Sequence, residues 1–441
     1  MSVTVVGAGL AGCEAAWQLA RAGIPVELYE GKPRFFSPAH RNPGFAELVC
    51  SNSLKADRID SAAGLLKEEM RRLGSLLTQC ADQSRVPAGG ALAVDRDAFS
   101  AAATEKILSN PLIRVHRELV SAVPRDGVRI VATGPLTAQQ LAGDVALLCG
   151  GSLSFFDAAA PIVTAESLDR DFCFAASRYD KGGDSAYLNC PMNKEEYERF
   201  YDALLSAQRA PIHGFDAADP KVYEGCMPVE VMAARGRDTL RFGPLKPVGL
   251  RDPRTGHRPW AVVQLRQENA AATLYNLVGF QTNLKFGEQK RVFGLIPGLR
   301  RAEFMRYGVM HRNTFLNSPK VLSADFSMKS DQNLFFAGQI TGVEGYMESA
   351  ASGIMAGRNA ARRLRGLQTQ ALPPETMIGA LSRYIEQCDP AHFQPMGANF
   401  GILPPLAEEI RDKRERYARL ARRSLEKLKP YIETVRPENR T

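Results

Sequence analysis

The residues most able to do covalent chemistry in this chain are its thiols. Eight cysteines are spread along it: Cys13, Cys50, Cys80, Cys149, Cys173, Cys190, Cys226 and Cys388. None forms a C-x-x-C pair, and the chain is long, so neither a disulfide framework nor a metal site is expected. Reduced thiols in a cytoplasmic protein fit better, which leaves room for one or two reactive ones. Two stand in stretches rich in turn residues, Cys50 in LVCSNS and Cys226 in EGCMP. A thiolate is strongly nucleophilic and also departs readily, so a cysteine presented on a turn suits transient covalent catalysis. Cys13 follows a glycine triplet and reads as packing between helix and strand. Cys149, in DVALLCGGS, reads as part of a buried strand, and Cys173 and Cys190 flank β-like segments of the core.

The second chemical signal is the triplet Gly7, Gly9 and Gly12, with Ala8, Leu10 and Ala11 between them. It stands between an apolar strand (SVTVV) and a helix from about Leu10 to Arg21. In such a unit the first glycine permits the tight turn, and the second lets a pyrophosphate approach the backbone. The third lets helix and strand pack closely, with the helix N-terminus facing phosphate. Glu30 closes the second strand (PVELYE) about 20 residues on, where a carboxylate accepts hydrogen bonds from ribose hydroxyls. The unit binds a dinucleotide and does not by itself choose between FAD and NAD.

These residues need a scaffold, and the chain is long enough to supply one. It has 441 residues, 45% hydrophobic and 24% charged, which is globular composition and room for two or three domains of roughly 150 residues. No run of about 18 apolar residues marks a membrane span. The apolar start lacks the basic flank of a signal peptide, and its glycines sit where a nucleotide loop needs them. The net charge of +8 permits a polyanionic partner without proving one. A helix is expected over about Gly64–Leu73, and IRVHRELVSAVP, GVRIVATGP and DVALLCGGS read as three strands. From about 166 to 329 the texture changes to Pro- and Gly-rich, β-like stretches (FCFAAS, AVVQLR, ATLYNLVGF). LFFAGQITGVEGYMESAASGIMAGRNAARRL then returns to strand, glycine loop and helix. The last segment, from about Pro404 to Val435, reads as a long charged helix. Its stripe of Ile410, Tyr417, Leu420 and Leu428 would dock while a basic face looks outward.

IVATGP (130–135) and LFFAGQ (334–339) resemble strands of the flavoproteins with two dinucleotide-binding domains. That resemblance selects FAD, and it places Gly338 and Gln339 at the flavin ribityl chain and phosphates; Gln339 stands where many such proteins have Asp. The expected fold class is α/β. It comprises a Rossmann-type FAD-binding domain from residues 1–165 and 330–441, a basic C-terminal helix, and an inserted α+β domain over 166–329.

VVGAGLAGCEAA and LFFAGQITGVEGYMESAASGIMAG resemble the GidA-like flavoproteins that modify tRNA uridines. Within them the chain is most similar to the folate- and FAD-dependent tRNA (uracil-54-C5)-methyltransferases, the TrmFO family. The similarity rests on ELVCSNSLK, DAAAPIV, YLNCPMNKEEYERF, YEGCMPVEVMAARG, TLRFGPLKPVGL, AVVQLR, NLVGFQTNL and RYGVMHRNT, which span nearly the whole chain. The resemblance implies that NADH or NADPH reduces FAD and that 5,10-methylenetetrahydrofolate supplies one carbon to C5 of a tRNA uridine, without S-adenosylmethionine. Uracil C5 becomes a carbon nucleophile once a thiolate adds to C6, and a base must later take the C5 proton. Cys226 is assigned to the attack and Cys50 to the proton, with the reverse left open. His311 or His213 would stack on the pterin, and Arg306 and Arg312 would hold folate carboxylates or RNA phosphate. Three other functions compete with this one. A wobble-uridine modifying relative would carry a long helical C-terminal extension, where a single helix is expected here. A small-molecule flavin oxidoreductase would need neither thiols nor a basic surface. A tRNA-binding flavoprotein without catalysis is the third.

Overall fold

The structure is a computed structural model that describes residues 1–151, 153–180, 187–211 and 227–432. Within these, the side chains of 153–158, 180, 311 and 312 are also outside the description. The fold is mixed α/β, organised around two six-stranded sheets.

The first sheet runs, in spatial order, Ser327–Met328, Asp331–Phe336, Arg129–Val131, Val3–Val6, Val26–Tyr29 and Ile113–His116. All of its pairs are parallel except the short edge strand Ser327–Met328. Ile130 stands level with Val5 on one side and Phe335 on the other. These three side chains and Leu28 are fully buried, as expected of parallel strands covered on both faces, which read as nearly unbroken apolar runs. The helices Leu10–Arg21 and Tyr346–Leu364 cross beside it almost backbone to backbone. A Cβ on Gly353 would lie 2.1 Å from the Ala11 carbonyl oxygen, and one on Gly357 would lie 2.6 Å from that of Ala15. The small residues of GYMESAASGIMAG therefore set how closely the two helices approach.

The second sheet is antiparallel, in the order Phe174–Ala175, Tyr187–Met192, Ala261–Gln267, Leu274–Leu277, Ile162–Thr164 and Phe304–Arg306. Its core is filled by Tyr197, Phe200, Phe280 and Phe293. Met310–Phe315 pairs with Leu153–Ala158 in a separate two-stranded ladder. A small sheet of Arg85–Val86, Ala91–Val94 and Ser53–Ala56 lies beside the loop that carries Cys50.

Two local expectations are overturned. DVALLCGGS is not a strand: it ends the helix Gln139–Cys149, which stops at Gly150 in the left-handed conformation (φ 68°). Leu141, Val145 and Cys149 recur at helical spacing and are the buried face. A short apolar run does not reveal its period by itself, and the glycine cap decides it. The C-terminal helix spans Lys413–Ile432, so Ile410 precedes it and is no part of its stripe. Leu420 and Leu428 are buried, and Tyr417 stacks on Phe400 at 4.3 Å. Asp412 caps the start, its carboxylate accepting from Glu415 N at 2.7 Å. Among the described residues, no helix is long and apolar enough to cross a membrane.

Candidate functional site: a glycine cradle and a thiol on one cavity

Gly7 leaves the first strand with φ 99°, and a Cβ there would come within 2.6 Å of the Ala132 carbonyl oxygen. A Cβ on Gly12 would sit 1.7 Å from the carbonyl oxygen of Gly7. Both positions are closed to any side chain. Gly9 differs: a Cβ there would meet nothing within 4 Å, because Gly9 faces an open cavity. Gly7, Leu10, Ala11, Glu30, Gly338 and Gln339 also line this cavity, which holds about 1420 Å³ of non-protein space, part of it open solvent. Among the described residues, no side chain caps the N-terminus of the helix Leu10–Arg21, which suits its first amides to an anion. The Glu30 carboxylate accepts from Ala8 N at 2.8 Å and from Lys32 N at 2.9 Å. It therefore ties the glycine loop to the end of the second strand, and each oxygen keeps acceptor capacity for hydroxyl donors. Gly338 N donates to Ser352 Oγ at 2.7 Å, and Gln339 Nε2 donates to Glu344 Oε2 at 2.6 Å. Open space at Gly9, uncapped amides and a carboxylate at the second strand fit a dinucleotide.

Val49, Cys50, Tyr346 and Ser349 line the same cavity. The Cys50 loop is held by side chains from distant parts of the chain. Tyr346 Oη accepts from Cys50 N at 2.7 Å and from Ser51 N at 3.1 Å, and lies 2.9 Å from Cys50 Sγ. Arg266, at the end of the strand Ala261–Gln267, donates through Nε to Asn52 Oδ1 at 2.8 Å and through a terminal nitrogen to Ser51 Oγ at 2.7 Å. Arg96 donates to the Leu48 and Val49 carbonyls at 2.9 and 3.3 Å and pairs with the buried Glu268. Asn52 Nδ2 donates in turn to the Val94 and Gln267 carbonyls.

The corner is cationic and largely dry. Burial lowers the pKa of Arg306, and Arg96 and Arg41 add to the lowering, while Tyr346 and Cys50 oppose it. Burial also lowers that of Arg266 and raises that of Glu268. Burial, with the Cys50 sulfur beside it, raises the Tyr346 phenol well above its ordinary value. His40 lines the cavity with Ser37 Oγ 2.6 Å from its Nδ1; burial lowers its pKa, and Lys32 lowers it further.

A family model described as glucose inhibited division protein A matches residues 2–368 of the chain. A protein of Desulfitobacterium hafniense (strain Y51), named methylenetetrahydrofolate--tRNA-(uracil-5-)-methyltransferase TrmFO, is 61% identical over 431 residues, covering 98% of each chain. A protein of the same name from Pelotomaculum thermopropionicum is 60% identical over 435 residues, covering 98% of this chain and 99% of its own. The chain belongs to the TrmFO family. Among solved structures, Aquifex aeolicus GidA in its form II crystal matches with a TM-score of 0.65 and 16% identity, over 97% of this chain and 74% of that one. At that identity the likeness is one of fold.

Within this TrmFO-family chain the cavity brings together Gly7, Gly9, Leu10, Ala11, Glu30, Gly338, Gln339 and Cys50. Ala8 and Gly12 contribute from beneath, Ala8 through its amide and Gly12 through close packing. Cys226 and His213 lie outside the described residues. His311 and Arg312 stand on the strand Met310–Phe315, level with Asp157 and Phe156, beside the cavity-lining Asn313; their side chains are not described. Arg306 ends the strand Phe304–Arg306. Tyr346, Arg266, Arg96 and His40 were not picked out from sequence as site residues. Tyr346 lies inside the motif GYMESAASG, but a tyrosine at a helix start carries no signal of which loop it will reach. Cys13 is buried, its Sγ 3.3 Å from the Ala8 carbonyl, in keeping with packing of helix on strand.

Proposed function

We propose that this TrmFO-family chain forms 5-methyluridine at position 54 of the tRNA T-loop, taking the carbon from 5,10-methylenetetrahydrofolate, with FAD as its bound cofactor. The observation that carries the reading is the shared cavity. A cradle that fits a dinucleotide and the thiol Cys50 face the same space, so redox chemistry and thiol chemistry can act on one substrate. A plain flavin oxidase has no use for a thiol whose loop is held by side chains from three separate segments.

The amides at Gly9 and the helix start would hold the pyrophosphate, Glu30 the ribose hydroxyls, and Gly338 and Gln339 the ribityl chain. When bound, FAD reduced by NADH or NADPH supplies the electron pair that turns the transferred methylene into methyl. The chain's own residues handle the uracil. Cys226 thiolate adds to C6, and C5, now enolate-like, attacks the one-carbon unit. Cys50 accepts the C5 proton, and the electrons of that C–H bond restore the C5–C6 double bond as the Cys226 sulfur leaves. Arg306 and Arg312 are assigned to folate carboxylate or RNA phosphate, and His311 or His213 to the pterin face. The dinucleotide-binding domain is drawn from 1–165 and 330–441, with 166–329 inserted. The exposed basic side of Lys413–Ile432 adds phosphate contacts in the cytoplasmic tRNA complex.

The test is methyl formation in unmodified tRNA with methylenetetrahydrofolate and NADPH, with and without S-adenosylmethionine. Product is expected to depend on the folate and to ignore S-adenosylmethionine. Product made from S-adenosylmethionine alone would overturn the reading.

A further inference from the structure

Among the described residues, the Tyr346 hydroxyl has three polar neighbours whose roles can be assigned by counting. Cys50 N and Ser51 N, at 2.7 and 3.1 Å, can only donate. Together they occupy both lone pairs of the phenol oxygen. The third neighbour is Cys50 Sγ at 2.9 Å, so the phenol's single proton must be what lies between oxygen and sulfur. The tyrosine donates and the sulfur accepts. A hydrogen bond donated to sulfur favours the thiolate over the thiol.

We propose that Tyr346 is a positioning residue that holds Cys50 as a thiolate, able to accept a proton, before any substrate arrives. This rests on the reading of Cys50 as the proton-handling group of methyl transfer. In that step the uracil C5–H bond breaks and an S–H bond forms on Cys50. The C–H electron pair closes the C5–C6 double bond as the C6–S bond to Cys226 breaks. Tyr346 keeps its own proton throughout, and only the charge of its acceptor changes.

The surroundings agree with this direction. Tyr346 is the first residue of the helix Tyr346–Leu364, whose N-terminal end is the positive one. Arg306, from the strand Phe304–Arg306, is close enough to Cys50 for a negative sulfur to be favoured beside it, and burial outweighs the opposing pull of Arg96, so the Tyr346 phenol stays protonated. Arg41 faces the same corner. The groups of opposite or switchable charge are Glu47 and His40 on the segment leading to the loop and Glu268 behind it; Glu268 is already paired with Arg96 and Glu47 with Lys32. The hydroxyl is also fixed in place, because its helix is pinned to the glycine-loop helix at Gly353 and Gly357.

A purely structural role, a bolt that accepts two amides, predicts something different, and the two can be separated. Full-length, flavin-bound protein is treated with iodoacetamide across a range of pH. Alkylation at Cys50 is then read peptide by peptide by mass spectrometry. Cys50 is expected to titrate below the ordinary thiol value of about 8.5. In Tyr346→Phe its midpoint should rise by about one pH unit, slowing alkylation near neutral pH about tenfold. Because that variant also frees two amides, 3,5-difluorotyrosine is placed at position 346 as well. It keeps both acceptor sites and is a stronger donor, so the midpoint should fall below that of the wild type. A midpoint unmoved in Tyr346→Phe overturns the proposal. A midpoint unmoved by difluorotyrosine also overturns it, since a bolt would then explain the phenylalanine result. If both midpoints move but the pH profile of methyl transfer does not, the thiolate assignment stands and the proton-handling role of Cys50 falls.

Discussion

The two ends of the cavity are built in opposite ways. The phosphate side of the cradle end is mostly backbone from one short stretch, in which Gly7, Gly9 and Gly12 shape a turn, and Glu30 ties it down from the end of the next strand. The thiol end is made of side chains brought from far apart. Cys50 is fixed by Tyr346, almost 300 residues away (|i−j| = 296), and its neighbours Ser51 and Asn52 by Arg266. A binding site for a common cofactor can be specified locally, because the ligand's phosphate needs only amides. If Cys50 is the proton-handling thiol proposed above, its protonation state and direction must be set, and that requires partners from several elements. Damage should therefore spread differently from the two ends: through backbone geometry at one, through chemistry at the other.

The largest effect is expected from the glycines, and it should divide them. Gly12→Val forces atoms into a space where even Cβ would be 1.7 Å from the Gly7 oxygen, and this contact is with backbone that cannot swing aside. The fold should be lost, read as absence of soluble protein or of a cooperative thermal transition. Gly9→Val enters open space, where a Cβ meets nothing within 4 Å. It should fold with a normal transition yet purify colourless. Full flavin occupancy in Gly9→Val would remove the phosphates from this loop and dissolve the contrast between the two ends.

At the thiol end the fold should survive and the chemistry should not. Cys226→Ser should abolish methylation and also the covalent adduct with 5-fluorouridine RNA, because an alkoxide is hard to form near neutral pH. Cys50→Ser should abolish turnover yet still form the adduct, since proton removal follows attack. Both should keep their flavin. Denaturing electrophoresis with labelled RNA distinguishes them, and an adduct that survives only in Cys226→Ser reverses the two roles.

A smaller effect is expected one step back from the sulfur. Arg266→Met removes the donors to Asn52 and Ser51 while preserving most of the buried volume. The loop should relax, and misplacement of a reacting group by about 1 Å costs on the order of 100-fold in rate. The expected result is a fall in kcat of about 10- to 100-fold with flavin content and tRNA affinity unchanged. An unaltered kcat would show that Tyr346 and Arg96 position the loop without it.

The same contrast explains what was legible in the sequence. The glycine triplet, the carboxylate at the end of the second strand and the helix Leu10–Arg21 follow from local spacing and were readable. So was the family, because its motifs are continuous strings. The cysteine loop was visible as a turn, and its supports were not. Arg266 sits in AVVQLR, read only as a strand, and nothing in that string says that its last arginine turns toward residue 52. His40 in SPAHRNPG is a lone histidine without a pattern. DVALLCGGS resembles a strand for the converse reason, since its helical period is too short to show and the deciding feature is the conformation of Gly150.

A last effect, read in stability and spread gradually over pH, tests whether the cradle's own helix carries a titrating weak point. Glu14, on the helix Leu10–Arg21, is fully buried and caps the helix Leu76–Gln83, accepting from Leu77 N at 2.8 Å, Leu76 N at 3.2 Å and the Ser75 hydroxyl. Burial raises its pKa from 4.5 to about 7, against the lowering by these donors. The folded state thus holds a proton that the unfolded chain has released between pH 4.5 and about 7. In that window the folded state binds more protons, so stability falls as pH rises, and above about 7 the loss is complete. A shift of this size corresponds to about 3 kcal/mol. Glu14→Gln cannot titrate, and whatever constant penalty its amide brings against Leu76 N cancels when slopes are compared. The stability of wild type relative to Glu14→Gln, from urea unfolding at a series of pH values, should therefore decline across the window and level off above it. A difference that rises with pH would mean that the three donors outweigh burial and keep Glu14 ionised. The helix that presents the glycine loop would then be locked by a full charge, and the backbone-built end would also depend on a tuned side chain.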